Sequence, residues 1–174
     1  MTDKLYFAKE YDDAILPTKN DEDAGYDVYA YGYEEIELLP QDIKMINTGI
    51  RTAFNQDYAM LVRERGSSGS KGLGVRAGVI DSGFRGEIKI VLNNTTNKTI
   101  ILSNAPDKTK KELSKGMSDP TYVDTNYIIY PLSKGIAQLV MVEIPQLDVQ
   151  EIPKDDLLKI ESERGEGMLG SSNK

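Results

Sequence analysis

The segment GVIDSGFRG at 78–86 sets one carboxylate, Asp81, behind an apolar tripeptide and ahead of a Ser-Gly turn, with an alternating apolar and polar run after it. Residues 78–93 therefore predict a β-hairpin with Asp81 near its mouth. A carboxylate so placed can hold a sugar hydroxyl or activate a water. The extended backbone beside it can hydrogen-bond the edge of a planar base, and Phe84 can pack on a sugar. An aspartate that merely initiates a turn satisfies the same pattern, so the segment acquires chemical meaning only from its companions.

Those companions are suited to phosphate. RERGSSGSKG at 63–72 is rich in small residues that let a backbone approach a ligand. Arg65 can donate a forked pair of hydrogen bonds to phosphate oxygens, and the serines can donate to a neighbouring phosphoryl group. A flexible Gly/Ser loop is the other reading, and the spacing of a Walker loop is absent. DAGYDV at 23–28 carries two carboxylates. Turn formation explains Asp23, whereas Asp27 can orient waters around a divalent cation, since magnesium keeps several waters beside substrate phosphates. GIAQL at 135–139 reads as a strand with one amide, Gln138, which is either structural or a ligand contact. The glycine-rich end RGEGMLGSS at 164–172 is either a disordered tail or, through Arg164 and its glycines, an arm that covers phosphates.

The elements that must position these groups are mostly strands. Short β-branched and aromatic stretches recur between turn signals at 4–9, 34–39, 43–50, 58–63, 87–92, 99–103, 126–132 and 136–144. In one of them Ile88, Ile90 and Leu92 share a face opposite Glu87, Lys89 and Val91. Helical signals are confined to 107–115, read as a short surface helix, and 153–163, read as a turn or two of another, both outside the core. This pattern predicts an all-β, jelly-roll-like barrel or sandwich. The domain spans 1–145, is interrupted by an insertion at about 95–126, and is followed by a polar arm at 146–174.

The chain has 174 residues, no cysteine and no histidine. Disulfides, thiolate nucleophiles, Cys/His zinc sites and a histidine general base are excluded. A formal net charge of −7 argues against a general nucleic-acid surface. The first nine residues lack an apolar signal core and no run approaches the length of a membrane span. The expectation is a soluble, cytoplasmic protein with neither nucleic acid nor membrane as partner.

In this order the five segments resemble the motifs of the trimeric dUTPase family. DAGYDV is similar to motif one, RGSSGSKG to motif two, GVIDSGFRG to motif three, GIAQL to motif four and RGEGMLGSS to motif five. The resemblance implies a jelly-roll-like β-barrel, a homotrimer with active sites shared between subunits, and hydrolysis of dUTP to dUMP and pyrophosphate. That reaction limits uracil in DNA and supplies dUMP for dTMP synthesis. Asp81 then matches the aspartate that positions the attacking water. Arg65, Gly66, Ser67 and Ser68 match the phosphate loop, with Ser67 the favoured serine because Gly66 stands where the family has serine. Val75, Gly78, Val79, Ile80 and Lys89 match the backbone stretch that reads uracil. Phe84 stands in place of a tyrosine that excludes a ribose 2′-hydroxyl, and Gln138 matches a glutamine near the phosphates. Arg164 matches the γ-phosphate arginine, and Gly170, Ser171 and Ser172 the residues that wrap the triphosphate. Met168-Leu169 replaces a Gly-Phe pair, and Leu169 offers apolar contact in place of ring stacking. Asp27 matches a carboxylate that holds waters of Mg2+, with no direct protein ligand to the metal.

The insertion resembles those of some bacteriophage dUTPases, implying a phage-type member acting in host cytoplasm. It is either a solvated excursion or a docking surface for a protein partner, and a regulatory role there would coexist with catalysis. The related dCTP deaminases are the enzymatic alternative, but they carry a glutamate where Asp81 stands.

Overall fold

The computed structural model describes residues 4–114, 126–163 and 165–166. It divides into two compact units, Met1–Ile144 and Pro145–Lys174. Among the described residues the first unit holds twelve strands in four small sheets. One pairs β1 (Tyr6–Lys9) with β5 (Ile50–Ala53), and a second sets β10 (Thr99–Ser103) between β11 (Tyr127–Pro131) and β3 (Glu35–Leu38). The third runs β2 (Tyr26–Val28), β12 (Ala137–Glu143), β6 (Tyr58–Arg63) and β8 (Val79–Ile80). The fourth runs β4 (Ile43–Asn47), β9 (Lys89–Asn94) and β7 (Leu73–Arg76). All ladders are antiparallel except β10 with β11, which the long insertion between them allows to run parallel. The chain is thus the all-β, jelly-roll-like barrel that its alternation predicts.

The core is built from the inward positions of these strands. Met60 and Val62 on β6, Ile90 and Leu92 on β9, and Ala137 and Leu139 on β12 are buried together with Ile36, Leu38, Ile46 and Ile50. Each of these side chains larger than alanine stabilises the barrel by roughly 1.5–3 kcal/mol. Two expectations change. The 43–50 run breaks at Thr48 and Gly49 into β4 and β5, because Gly49 takes a φ of +67° and a Cβ there would meet Ala14 and Tyr31. The hairpin expected over 78–93 does not form: β8 pairs with β6, whereas β9 pairs with β4 and β7. Residues 81–88 therefore cross between sheets, and no ladder holds the loop that carries Asp81.

Within the range expected as an insertion, Thr99–Ser103 is β10 of the barrel, and the described residues after it include α2 (Pro106–Leu113). Pro106 opens it, Asp107 lies in its first turn, and Lys110 and Lys111 lie in its last, matching the helix dipole. It is the short helix expected there, and it is anchored to the barrel. It packs against β10 and β11, and its buried Thr109 hydroxyl donates to Glu35 Oε2 at 3.0 Å and meets Ser103 Oγ at 2.9 Å. Thr109→Val keeps the volume and removes these bonds, so it should cost about 1 kcal/mol and about 2–4 °C of thermal midpoint at this size, with turnover unchanged. A calorimetric scan showing no loss would refute the anchoring role. In the second unit α3 (Lys154–Leu158) has no buried residue, and Leu147 and Val149 are exposed. Among the described residues no helix is long and apolar enough to cross a membrane.

Candidate functional site

The sequence-predicted residues gather in two places on the barrel. The first is a cleft of about 480 Å³ lined by Val79, Ile80, Asp81, Phe84 and Lys89, with Met45, Ala77, Glu87, Ile88 and Val91. Ile80 is turned into the core while Val79 and Asp81 face solvent. The loop is closed by the Phe84 N–H, which donates to the Asp81 carbonyl at 3.0 Å. Arg85 Nη1 donates to the carbonyls of Ser82 at 2.5 Å and Phe84 at 2.9 Å. The Phe84 ring, 44 % exposed, folds back over Gly86, where a Cβ would come within 2.5 Å of it.

The second place is a pocket of about 170 Å³ lined by Arg65, Ser67, Ser68, Lys71, Tyr130, Lys134, Gly135 and apolar neighbours. The Gly/Ser segment is not a flexible loop here: it forms α1 (Gly66–Gly69), with Arg65 at its N-cap and the Gly69 N–H donating to the Arg65 carbonyl at 2.8 Å. Within it Ser68 is buried, its hydroxyl turned toward the Arg65 carbonyl at 3.4 Å, whereas Ser67 is exposed. Arg65 Nε donates to Asp27 Oδ1 at 2.7 Å and Nη1 to the Gly135 carbonyl at 3.3 Å, with side-chain exposures of 23 % for Arg65 and 31 % for Asp27. Asp27 on β2 is paired in register with Gln138 on β12, whose Nε2 donates to the Glu64 carbonyl at 2.8 Å. A Cβ at Gly135 would come within 2.9 Å of Asp27 Cβ, so glycine there is what lets Asp27 reach Arg65.

Two expected uracil contacts fall outside the Asp81 cleft. The Val75 N–H is taken by Glu64 Oε1 at 3.2 Å. Gly78 lies against β6, its carbonyl accepting from Val62 N–H at 2.8 Å, and a Cβ would come within 2.6 Å of the Val62 carbonyl oxygen. Glu64 is held below the usual carboxylate range first by its own backbone N–H, against opposing desolvation, with the Val75 N–H and Arg63 adding to the effect. Arg164, Leu169, Gly170, Ser171 and Ser172, with Met168, lie outside the described residues.

Sequence reasoning assigned no role to Lys71, Lys134 or Tyr130. The Lys71 ammonium sits over the Tyr130 ring at 5.4 Å, and the Tyr130 hydroxyl reaches toward the Ser68 carbonyl at 3.5 Å. Burial pushes the Tyr130 hydroxyl above its ordinary pKa. The signal was present, since Lys71 lies within the Gly/Ser segment and Lys134 directly precedes GIAQL. With Arg65 neutralised in part by Asp27, these lysines give the pocket its surplus positive charge.

Among the described residues no cluster of three or more acidic or imidazole ligands exists that would cage a metal. A magnesium ion bound by phosphate oxygens and water would need only a nearby carboxylate to hold its waters. Asp27, whose Oδ1 accepts from Arg65 Nε beside the basic pocket, is such a carboxylate.

A family model described as dUTPase matches residues 12–106. The deoxyuridine 5′-triphosphate nucleotidohydrolase of Debaryomyces hansenii is 30% identical over 167 residues, covering 94% of this chain and 83% of that protein. The Pol polyprotein of caprine arthritis encephalitis virus (strain Cork) is 30% identical over 99 residues, 57% of this chain, and the match spans only 9% of that polyprotein. The dUTPase of Staphylococcus bacteriophage 80alpha with dUPNHPP superposes with a TM-score of 0.69 at 27% identity, over 98% of this chain and 99% of that one. The fold, the conjunction of Asp27, Arg65 and Gln138, and these likenesses agree: the chain belongs to the dUTPase family.

Proposed function

We propose that this protein hydrolyses dUTP to dUMP and pyrophosphate, limiting uracil in DNA and supplying dUMP for dTMP synthesis. The observation that supports it most is the pairing of an exposed Asp81 in a base-sized cleft with a separate basic pocket around Arg65. The related phage enzyme is seen with dUPNHPP.

The base and sugar occupy the Asp81 cleft, where backbone groups of Val79, Ile80 and Lys89 read the uracil edge and Phe84 lies against the deoxyribose. Asp81 orients the water for attack on the α-phosphorus and accepts its proton. Arg65, the Ser67 hydroxyl and Gln138 hold the phosphates, joined by Arg164 and by Gly170, Ser171 and Ser172 of the arm, with Leu169 against the base. Bound Mg2+ would supply Lewis-acid stabilisation of the triphosphate's charge, and Asp27 would hold its waters. The two linings share no residue, and in the homotrimer of this family each site would be completed by joining surfaces of different subunits. The exposed apolar Ile43, Met45 and Val79 are suited to contact between subunits. The exposed charged face of α2 is the part of the insertion on which a protein partner would dock.

Pyrophosphate release from dUTP, UTP, dTTP and dCTP in magnesium, with solution mass from light scattering, tests this reading. Ammonia release from dCTP without pyrophosphate would overturn it in favour of a deaminase. Phe84→Ala should lower the kcat/KM preference for dUTP over UTP by about 10–100-fold, because an apolar wall rejects an added hydroxyl by about that much. An unchanged preference would remove Phe84 from sugar selection.

A further inference from the structure

The geometry points to Arg51 as a positioning residue for the Asp81 loop. From β5 it ties the far end of that loop to the start of the chain by donating to the Arg85 carbonyl and the Glu10 carboxylate at once. The inference rests on the proposed reading that Asp81 orients the hydrolytic water.

Since β8 and β9 belong to different sheets, the loop between them has no ladder of its own. Its internal bonds close a turn but do not fix the turn's place on the barrel. That place is set by residues 48–51. Glu87 Oε1 accepts from Thr48 N–H at 3.1 Å and Gly49 N–H at 2.8 Å, and Ile88 N–H donates to the Ile50 carbonyl at 2.7 Å. Those bonds hold the end of the crossing where it enters β9. Arg51 reaches one step further into it, with Nη1 donating to the Arg85 carbonyl at 2.7 Å.

The arginine is itself held. Its Nε donates to Glu10 Oε2 in an ion pair, and the Glu10 N–H donates to the Gly49 carbonyl at 2.7 Å. Backbone 49–51, Glu10 and the Arg51 fork thus form one closed frame. A guanidinium can serve both acceptors because its donors are fixed in a fork; an ammonium on a flexible stem cannot hold the two in the same geometry. Arg51 does not line the Asp81 cleft. Its influence passes through the Arg85 carbonyl to the turn that sets Asp81 and Phe84, where a shift of about 1 Å is enough to cost catalysis heavily.

The test uses the full-length protein and two readouts. In Arg51→Ala, kcat for dUTP should fall about tenfold with KM within about threefold, and Arg51→Lys should recover only part of the loss. Amide hydrogen exchange should quicken about tenfold at Phe84, whose N–H closes the loop, while the Ile88 amide keeps wild-type exchange. Unchanged Phe84 exchange with kcat within about twofold of wild type would overturn the role, and so would equal acceleration at Phe84 and Ile88, which marks general loosening. If the wild-type protein releases no pyrophosphate from dUTP, the proposed activity fails. The exchange measurement still decides whether Arg51 holds the loop.

Discussion

Asp81→Asn is expected to lower dUTP turnover by about 10²–10⁴-fold while leaving the fold and nucleotide binding intact. Among the described residues the Asp81 carboxylate has no hydrogen-bond partner, and the bond that closes its loop uses the backbone carbonyl, which asparagine also supplies. The exchange is nearly isosteric at an exposed position, so packing is unaffected. What changes is the reacting group. An amide is a far weaker base, and its nitrogen donates where a carboxylate oxygen would accept from the water. The loss should therefore fall on kcat, with KM for dUTP within about threefold, as for an interaction made chiefly in the transition state. Steady-state pyrophosphate release and a binding titration with a non-hydrolysable analogue separate the two. Turnover near wild type would show that Asp81 is not the water-positioning carboxylate.

How far this site was legible in the sequence depended on whether its determinants are local. Strands β6 and β10 match their predicted bounds, because alternation in the first and an unbroken β-branched and apolar run in the second each report burial locally. The short β7 and β8 were not legible. Two or four residues carry too little period, and β8 is defined by its partner β6, whose sequence precedes it by some distance. The same cause defeated the predicted hairpin. The Ser-Gly turn after Asp81 was read correctly as a turn, but strand partnership is a long-range property. Gly49 shows the reverse case, where one residue's left-handed backbone divides a run that composition alone makes continuous. In the basic pocket, Arg65, Asp27 and Gln138 were each found as candidates. Their assembly was not visible, because Asp27 and Arg65 lie 38 residues apart and meet only through the order of β2, β12 and β6. Thr109 was hidden for a further reason: a charged, exposed helix gives no hint that its one small polar side chain is buried on Glu35 and Ser103.

Arg65→Gln is expected to reduce kcat/KM for dUTP by roughly 10²–10³-fold, the scale for removing one preorganised donor from a transition state that gathers charge. Two effects act together. The pocket loses one of its three lining cations, and Asp27, two-thirds buried on its side chain, loses its ion-pair partner. A carboxylate left without its cation faces the incoming triphosphate with its full negative charge, so binding suffers as well as chemistry. Arg65→Lys should lie between the two proteins. It keeps a charge but cannot reach Asp27, the Gly135 carbonyl and a phosphate oxygen together. Asp27→Asn in the Arg65→Gln background should recover part of the KM loss, because it removes the unpaired charge. That non-additivity separates an electrostatic partnership from two independent contacts. Values of kcat/KM for Arg65→Gln within about threefold of wild type would remove Arg65 from phosphate binding and leave Lys71 and Lys134 to hold the phosphates.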